Sequence, residues 1–75
     1  MIISDAFPFE VRGTTALMRV VRNDGYCWGN MTVGAVQVDV STRSDQYDKT
    51  DEEAARAFMR AAKNPANIAP AARLI

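Results

Sequence analysis

The sequence predicts a small α+β domain: an antiparallel β-sheet of three to four strands with one α-helix packed on one face. Three observations predict it. Asp24-Gly25 separates two apolar-rich runs, Thr15–Arg22 and Tyr26–Val33, and such a pair suits a type I′ hairpin turn, which needs positive φ at both central residues. Val36, Val38 and Val40 alternate with polar residues, the period of a half-buried strand. Thr50-Asp51-Glu52-Glu53 precedes apolar residues at helical spacing, which is a capping box opening an amphipathic helix.

In chain order, Phe7-Pro8-Phe9-Glu10-Val11 places Phe7, Phe9 and Val11 on one side of a strand. Pro8 has no N–H to give a ladder, so this strand is expected at an edge. Arg12-Gly13-Thr14 reads as a turn or bend. A two-residue Asp24-Gly25 loop then pairs Asn23 with Tyr26, Arg22 with Cys27, Val21 with Trp28 and Met18 with Met31. One face collects Ala16, Met18, Val20, Cys27, Gly29, Met31 and Val33. The other collects Leu17, Arg19, Val21, Tyr26, Trp28, Asn30 and Thr32. A one-residue slip mixes the two sets, so this register is preferred.

Gly34 marks a switch in apolar parity, from Met31 and Val33 to Val36, Val38 and Val40. A bulge or tight turn is expected there, then a strand over Ala35–Ser41. Within the helix, Ala54, Ala55, Phe58, Met59 and Ala62 share one face, and Arg56, Arg60 and Lys63 another. Asn64 and Pro65 supply a stop. The expected organisation is one domain over 1–75: β-rich 7–41, an acidic loop 42–49, a helix 50–63 and an Ala/Pro-rich tail 64–75, with a short helical turn from Pro70.

The chain has 75 residues, one cysteine and no histidine. A core of this size alone contributes roughly 3–5 kcal/mol. Cys27 has no cysteine to pair with, and one Cys without His cannot complete a tetrahedral zinc site. A macromolecular partner, or a second copy of the chain, is the remaining source of stabilisation. Net charge is zero, which disfavours coating of a phosphate backbone. The N-terminal residues lack the pattern of a secretion signal. No apolar run approaches the ~20 residues of a membrane span. A cytoplasmic setting with no membrane partner is expected.

The mixed sheet face is the first candidate site. A single helix covers one side of a sheet, so Leu17, Arg19, Val21, Tyr26, Trp28 and Asn30 would stand on the other. Trp, Tyr and Arg are the types enriched at binding hot spots, because each combines large buried area with a polar end. The competing readings are that the Phe7–Phe9 segment or the tail folds over this face, or that Trp28 belongs to the core. The second candidate is charge segregation. From Asp39 to Glu53 six acids (Asp39, Asp45, Asp48, Asp51, Glu52, Glu53) face two bases (Arg43, Lys49), a net of −4; from Ala54 onward Arg56, Arg60, Lys63 and Arg73 stand without acids, a net of +4. Helix-dipole complementarity accounts for much of this. As a docking patch it would offer Asp45 and Asp48 to a basic partner.

The remaining features point to no chemistry. Asp45-x-x-Asp48-x-x-Asp51 lacks the alternate ligands, central Gly and terminal Glu of a calcium loop. Arg56, Arg60 and Lys63 are few for a nucleic-acid stripe. Cys27 has no histidine to make it a thiolate, although Arg22 opposite would lower its pKa slightly. Glu10 and Asp39 are acids with no evident cleft. Asn30-Met31-Thr32 matches a glycosylation acceptor by chance. No metal, cofactor or catalytic residue is expected.

The expected function is a non-enzymatic interaction module that blocks a larger protein or protein complex sterically, as a small inhibitor or adaptor does. Phage-encoded inhibitors of host defence, the anti-CRISPR proteins among them, are one class of this size, an association that rests on size and composition alone. The alternatives are a nucleic-acid module using Arg19, Arg56, Arg60 and Lys63, and a homodimeric or larger structural assembly.

Overall fold

The computed structural model describes residues 1–42 and 44–70. Six strands form one antiparallel sheet: β1 (Ile2–Ile3), β2 (Phe7–Val11), β3 (Thr14–Asn23), β4 (Tyr26–Val33), β5 (Val36–Thr42) and β6 (Ile68–Pro70). Their order is β1-β3-β4-β5-β6, with β2 beside β1 on the same edge of β3. One helix, α1 (Asp51–Ala61), packs on one face. The α+β class and, among the described residues, the single α-helix are as the sequence predicts.

The strand number is not. Two of the six strands are too short to carry a periodicity. β1 pairs only Ile2 with Arg22 and Ile3 with Val21, and β6 only Ile68, Ala69 and Pro70 with β5. β1 and β2 are one edge strand broken by a bulge. Ile3 faces Val21 and Phe7 faces Met18, so Ser4, Asp5 and Ala6 oppose only Arg19 and Val20. Ser4 repairs the break: its N–H donates to the Val20 carbonyl at 2.9 Å, and its hydroxyl accepts from the Val20 N–H at 2.9 Å. The side chain stands in for a carbonyl that the bulge has turned away. The tail expected over 64–75 also contributes to the sheet. Asn64 accepts from Ala66 N–H to start a 3₁₀ turn, Pro65–Asn67, which delivers Ile68 opposite Val40. Pro70 is a strand residue, and the rest of the helical turn expected from it lies outside the described residues.

Three two-residue turns join β2 through β5, and each carries the backbone its type requires. Arg12 and Gly13 have φ of 50° and 77°, and Asp24 and Gly25 have 50° and 81°, both type I′ patterns. At Gly34-Ala35 only Gly34 is positive, at 61°, as a type II′ turn demands. The parity switch at Gly34 is therefore a turn. The true irregularity on β5 comes later: Gly29 faces Val40 but Trp28 faces Thr42, so Ser41 is the extra residue.

The predicted register of the β3–β4 hairpin holds at every pair from Asn23–Tyr26 to Leu17–Thr32. Ala16, Met18, Val20, Cys27, Met31 and Val40 are buried beneath Ala54, Ala55, Phe58 and Ala62 of the helix side. Phe7, Phe9, Val11, Val38 and Ile68 pack around this cluster. Phe58 seats directly on Gly29. A Cβ at that glycine would lie 2.8 Å from Phe58 Cβ and 2.9 Å from Met18 Sδ. The helix approaches the sheet closely because β4 has no side chain at this point.

The helix begins with the capping box. Thr50 Oγ1 accepts from Glu53 N–H, and Glu53 Oε1 accepts from both Thr50 N–H and Thr50 Oγ1. These bonds hold the Glu53 carboxyl below the usual glutamate range. The helix ends at Ala61 with Ala62 as its cap, two residues short of the expected Lys63. Arg22, at the end of the covered face, fixes the approach to the helix. Its guanidinium donates to the Tyr47 carbonyl at 3.0 Å, the Lys49 carbonyl at 2.7 Å and Asp51 at 2.6 Å. Among the described residues no helix is long and apolar enough to cross a membrane.

Candidate functional site

Strand alternation places Leu17, Arg19, Val21, Tyr26, Trp28 and Asn30 together on the face opposite α1. Antiparallel pairing arranges this face in cross-strand rows: Ile3–Val21–Trp28, Arg19–Asn30–Asp39–Ala69 and Pro8–Leu17–Thr32–Gln37. Phe7, Phe9 and Val11 sit on the covered side, packed against the core, so the N-terminal segment does not fold over this face. Trp28 is likewise outside the core cluster. Among the described residues, the helix and the segment leading to it lie on the other side of the sheet.

The six residues are not equally presented. Tyr26 is 64% exposed and Leu17 37%; Arg19 and Trp28 are half-buried; Val21 and Asn30 are fully buried, at 0% and 1%. Val21 and Asn30 form the floor of the face, and Leu17, Arg19, Tyr26 and Trp28 form its accessible relief.

That floor has an unusual polarity. Trp28 Nε1, Asn30 Oδ1 and Thr32 Oγ1 are buried with no hydrogen-bond partner among the described residues. They occupy alternate positions of one strand, so all three point to the same side. Asn30 Nδ2 reaches Asp39 Oδ1 at 3.4 Å, a long contact that satisfies one amide hydrogen. Leaving a buried polar atom unpaired costs about 1–3 kcal/mol. Native structures contain few such atoms, and here three stand in one row.

Asp45 and Asp48 do not join this face. They belong to the segment before α1, which Arg22 anchors from the covered side through Tyr47 and Lys49. The acidic run is also largely spent on the fold. Asp51 pairs with Arg22, Glu52 with Arg56 at 2.5 Å, and Glu53 caps the helix. Arg19 and the helix cations Arg56, Arg60 and Lys63 lie on opposite sides of the sheet, so the four do not make one basic surface.

Cys27 is fully buried. Burial pushes its thiol above the ordinary value; Arg22 opposes that shift, and Asp51 and Asp45 reinforce it. The small lowering expected from Arg22 exists but is outweighed. Among the described residues no group of three or more His, Cys, Asp or Glu side chains could hold a metal ion.

Sequence reasoning missed two features. One is the Arg22 hub, whose signal was a charged residue at core-face parity, at the end of its strand. The other is a depression beside α1 lined by Gln46, Lys49, Glu53, Arg56, Ala57 and Arg60, which joins residues from two segments that have no common pattern. Comparison with protein-family models, curated proteins and solved structures gives no match.

Proposed function

We propose that this chain is a non-enzymatic interaction module. In this reading it docks a larger protein through the sheet face opposite the helix and acts by steric blocking, as an inhibitor or adaptor. The observation that carries it is the convergence of Tyr26, Trp28, Leu17 and Arg19 on the face opposite the helix, with Tyr26 and Leu17 exposed and Arg19 and Trp28 half-buried over a buried floor. Large aromatic and guanidinium groups over a buried floor are the composition of a hot spot with its rim. The absence of histidine from the sequence supports binding over acid–base catalysis, since it removes the commonest general base. The inhibitory role itself rests on size and composition.

The test is affinity capture from an extract of the source cells, using wild-type and Trp28→Ala baits, with amide NMR spectra confirming that both are folded. The captured protein should bind Trp28→Ala more weakly by at least about 2 kcal/mol, a factor of roughly thirty, and Arg60→Ala normally. Equal capture by the Trp28 variant would sink the sheet-face reading. Light scattering on the purified chain separates the self-association alternative. A stable dimer broken by Trp28→Ala would make the occupant of the face a second copy.

A further inference from the structure

The basic half of the charge pattern has a structural destination that the interaction reading does not use. Lys49 arrives from the segment before the helix. Arg56 and Arg60 stand one turn apart on α1, with Glu53 and Ala57 in the same stripe, since residues three, four and seven apart share a helix face. All line one open depression of about 310 Å³, together with Gln46.

Three cations and one carboxylate line the depression, and with Glu52, the partner of Arg56, the local charge is +1. The lining acid is already engaged, because Glu53 Oε1 accepts from the Thr50 N–H and hydroxyl. Among the described residues Arg56 is held only by Glu52, and both partners are about two-thirds exposed. Such a pair is worth little, so the guanidinium is free to turn toward a stronger anion. Neither Arg60 nor the Lys49 ammonium makes an ion pair among the described residues. Arginine forks match the oxygens of a phosphoryl group bidentately, while lysine adds a point charge. The volume sits at the lower end of small-molecule sites, roughly 300–1,000 Å³, which suits a single small group.

We propose that the depression formed by Lys49, Arg56 and Arg60, with Gln46, is a binding site for a phosphomonoester dianion. A monoester carries close to two negative charges and three acceptor oxygens, against one charge on a diester or carboxylate. Its third terminal oxygen gives each of the three cations an acceptor, which favours it over both. The site lies on the helix side of the sheet, away from Trp28, and stands or falls independently of the docking face.

Methyl phosphate titrated into the ¹⁵N-labelled full chain, at constant ionic strength, is the direct test. Saturable shifts are expected at the amides of Lys49, Arg56, Ala57 and Arg60, and not at Trp28. Arg60 is exposed, so Arg60→Glu leaves the fold intact; it should weaken binding about tenfold or more, because it reverses one charge in the site. Arg19→Glu, on the opposite face, should change nothing and controls for net charge. Dimethyl phosphate, the monoanionic diester, should bind at least several-fold more weakly. Non-saturating shifts, an unaffected Arg60→Glu variant, or equal binding of the diester would each overturn the proposal. The last would point to a nucleic-acid backbone instead.

Discussion

The two faces of β4 follow opposite rules on one strand. Cys27, Gly29 and Met31 point into a closed apolar layer in which the helix sits almost in backbone contact with the sheet. Trp28, Asn30 and Thr32, interleaved with them, point into a layer where three polar atoms are buried without partners among the described residues. On the first side, sequence pattern, packing and polar satisfaction agree. On the second, packing and polarity disagree. Natural sequences are consistent across these levels except at functional or strained sites, and the difference falls on the face for which docking is proposed.

The covered face should give the largest responses to substitution. Phe58→Ala removes the side chain that seats on Gly29 and should cost about 3–5 kcal/mol. That is comparable to the whole stability available to a core of this size, so the variant should be largely unfolded by far-UV circular dichroism at 25 °C. Gly29→Ala attacks the same contact from the other side. Its methyl group would meet Phe58 and Met18 at under 3.0 Å, and such overpacking costs about 1–3 kcal/mol, readable as a lower urea midpoint. If Gly29→Ala were neutral, the close seating of the helix would be wrong.

The same contrast explains what could be read in advance. The register of β3 against β4 was legible because Asp24-Gly25 pins the turn and only one alignment separates Met18, Val20 and Met31 from Arg19 and Asn30. The helix was legible because Thr50, Glu53, Phe58 and Pro65 each report on it independently. β1 and β6 were not, because two- and three-residue strands have no period; they exist through Ser4 bonding Val20 and through the Asn64 turn. The face opposite the helix was legible as a set of residues, by parity alone. Its division into buried floor and accessible relief was not, because burial depends on neighbouring strands. Asp45 and Asp48 were assigned by charge, and charge says nothing about which side of the sheet a loop takes.

A smaller effect is expected at the device that holds the covering helix in place. Thr50→Ala deletes the hydroxyl of the capping box and should cost about 1 kcal/mol, without altering the native emission of Trp28 on the far face. The box also gives the covered side an acid-sensitive component. The Glu53 carboxyl has a folded pKa below its unfolded value because Thr50 bonds favour the ionised form. Its contribution is therefore fully present above the unfolded glutamate pKa, and is lost as pH falls through the folded one. Glu53→Gln should flatten this part of the acid limb in urea melts between neutral pH and the acid range. An unchanged acid limb in that variant would remove the carboxylate from the box.

The smallest expected change is the sharpest test of the comparison, because its sign should depend on the face. Thr32→Val exchanges a hydroxyl for a methyl at nearly constant shape and keeps a β-branched residue in a strand. If Thr32 Oγ1 is buried and unpaired in solution as in the structure, losing it relieves a desolvation penalty. The variant should then be as stable as wild type or more so, by up to about 1 kcal/mol. The reverse exchange on the covered face, Val40→Thr, buries a new hydroxyl among Phe58 and its neighbours and should destabilise by about 1–3 kcal/mol. A measurable loss of stability in Thr32→Val would mean that the hydroxyl has a partner in the free chain. The row of orphaned atoms would then be an ordinary satisfied network, and the physical distinction between the two faces would rest on Tyr26, Trp28 and their exposure alone. A gain that turns into a binding defect in the capture experiment would say the opposite: the hydroxyl is kept, at some cost to the fold, for the partner.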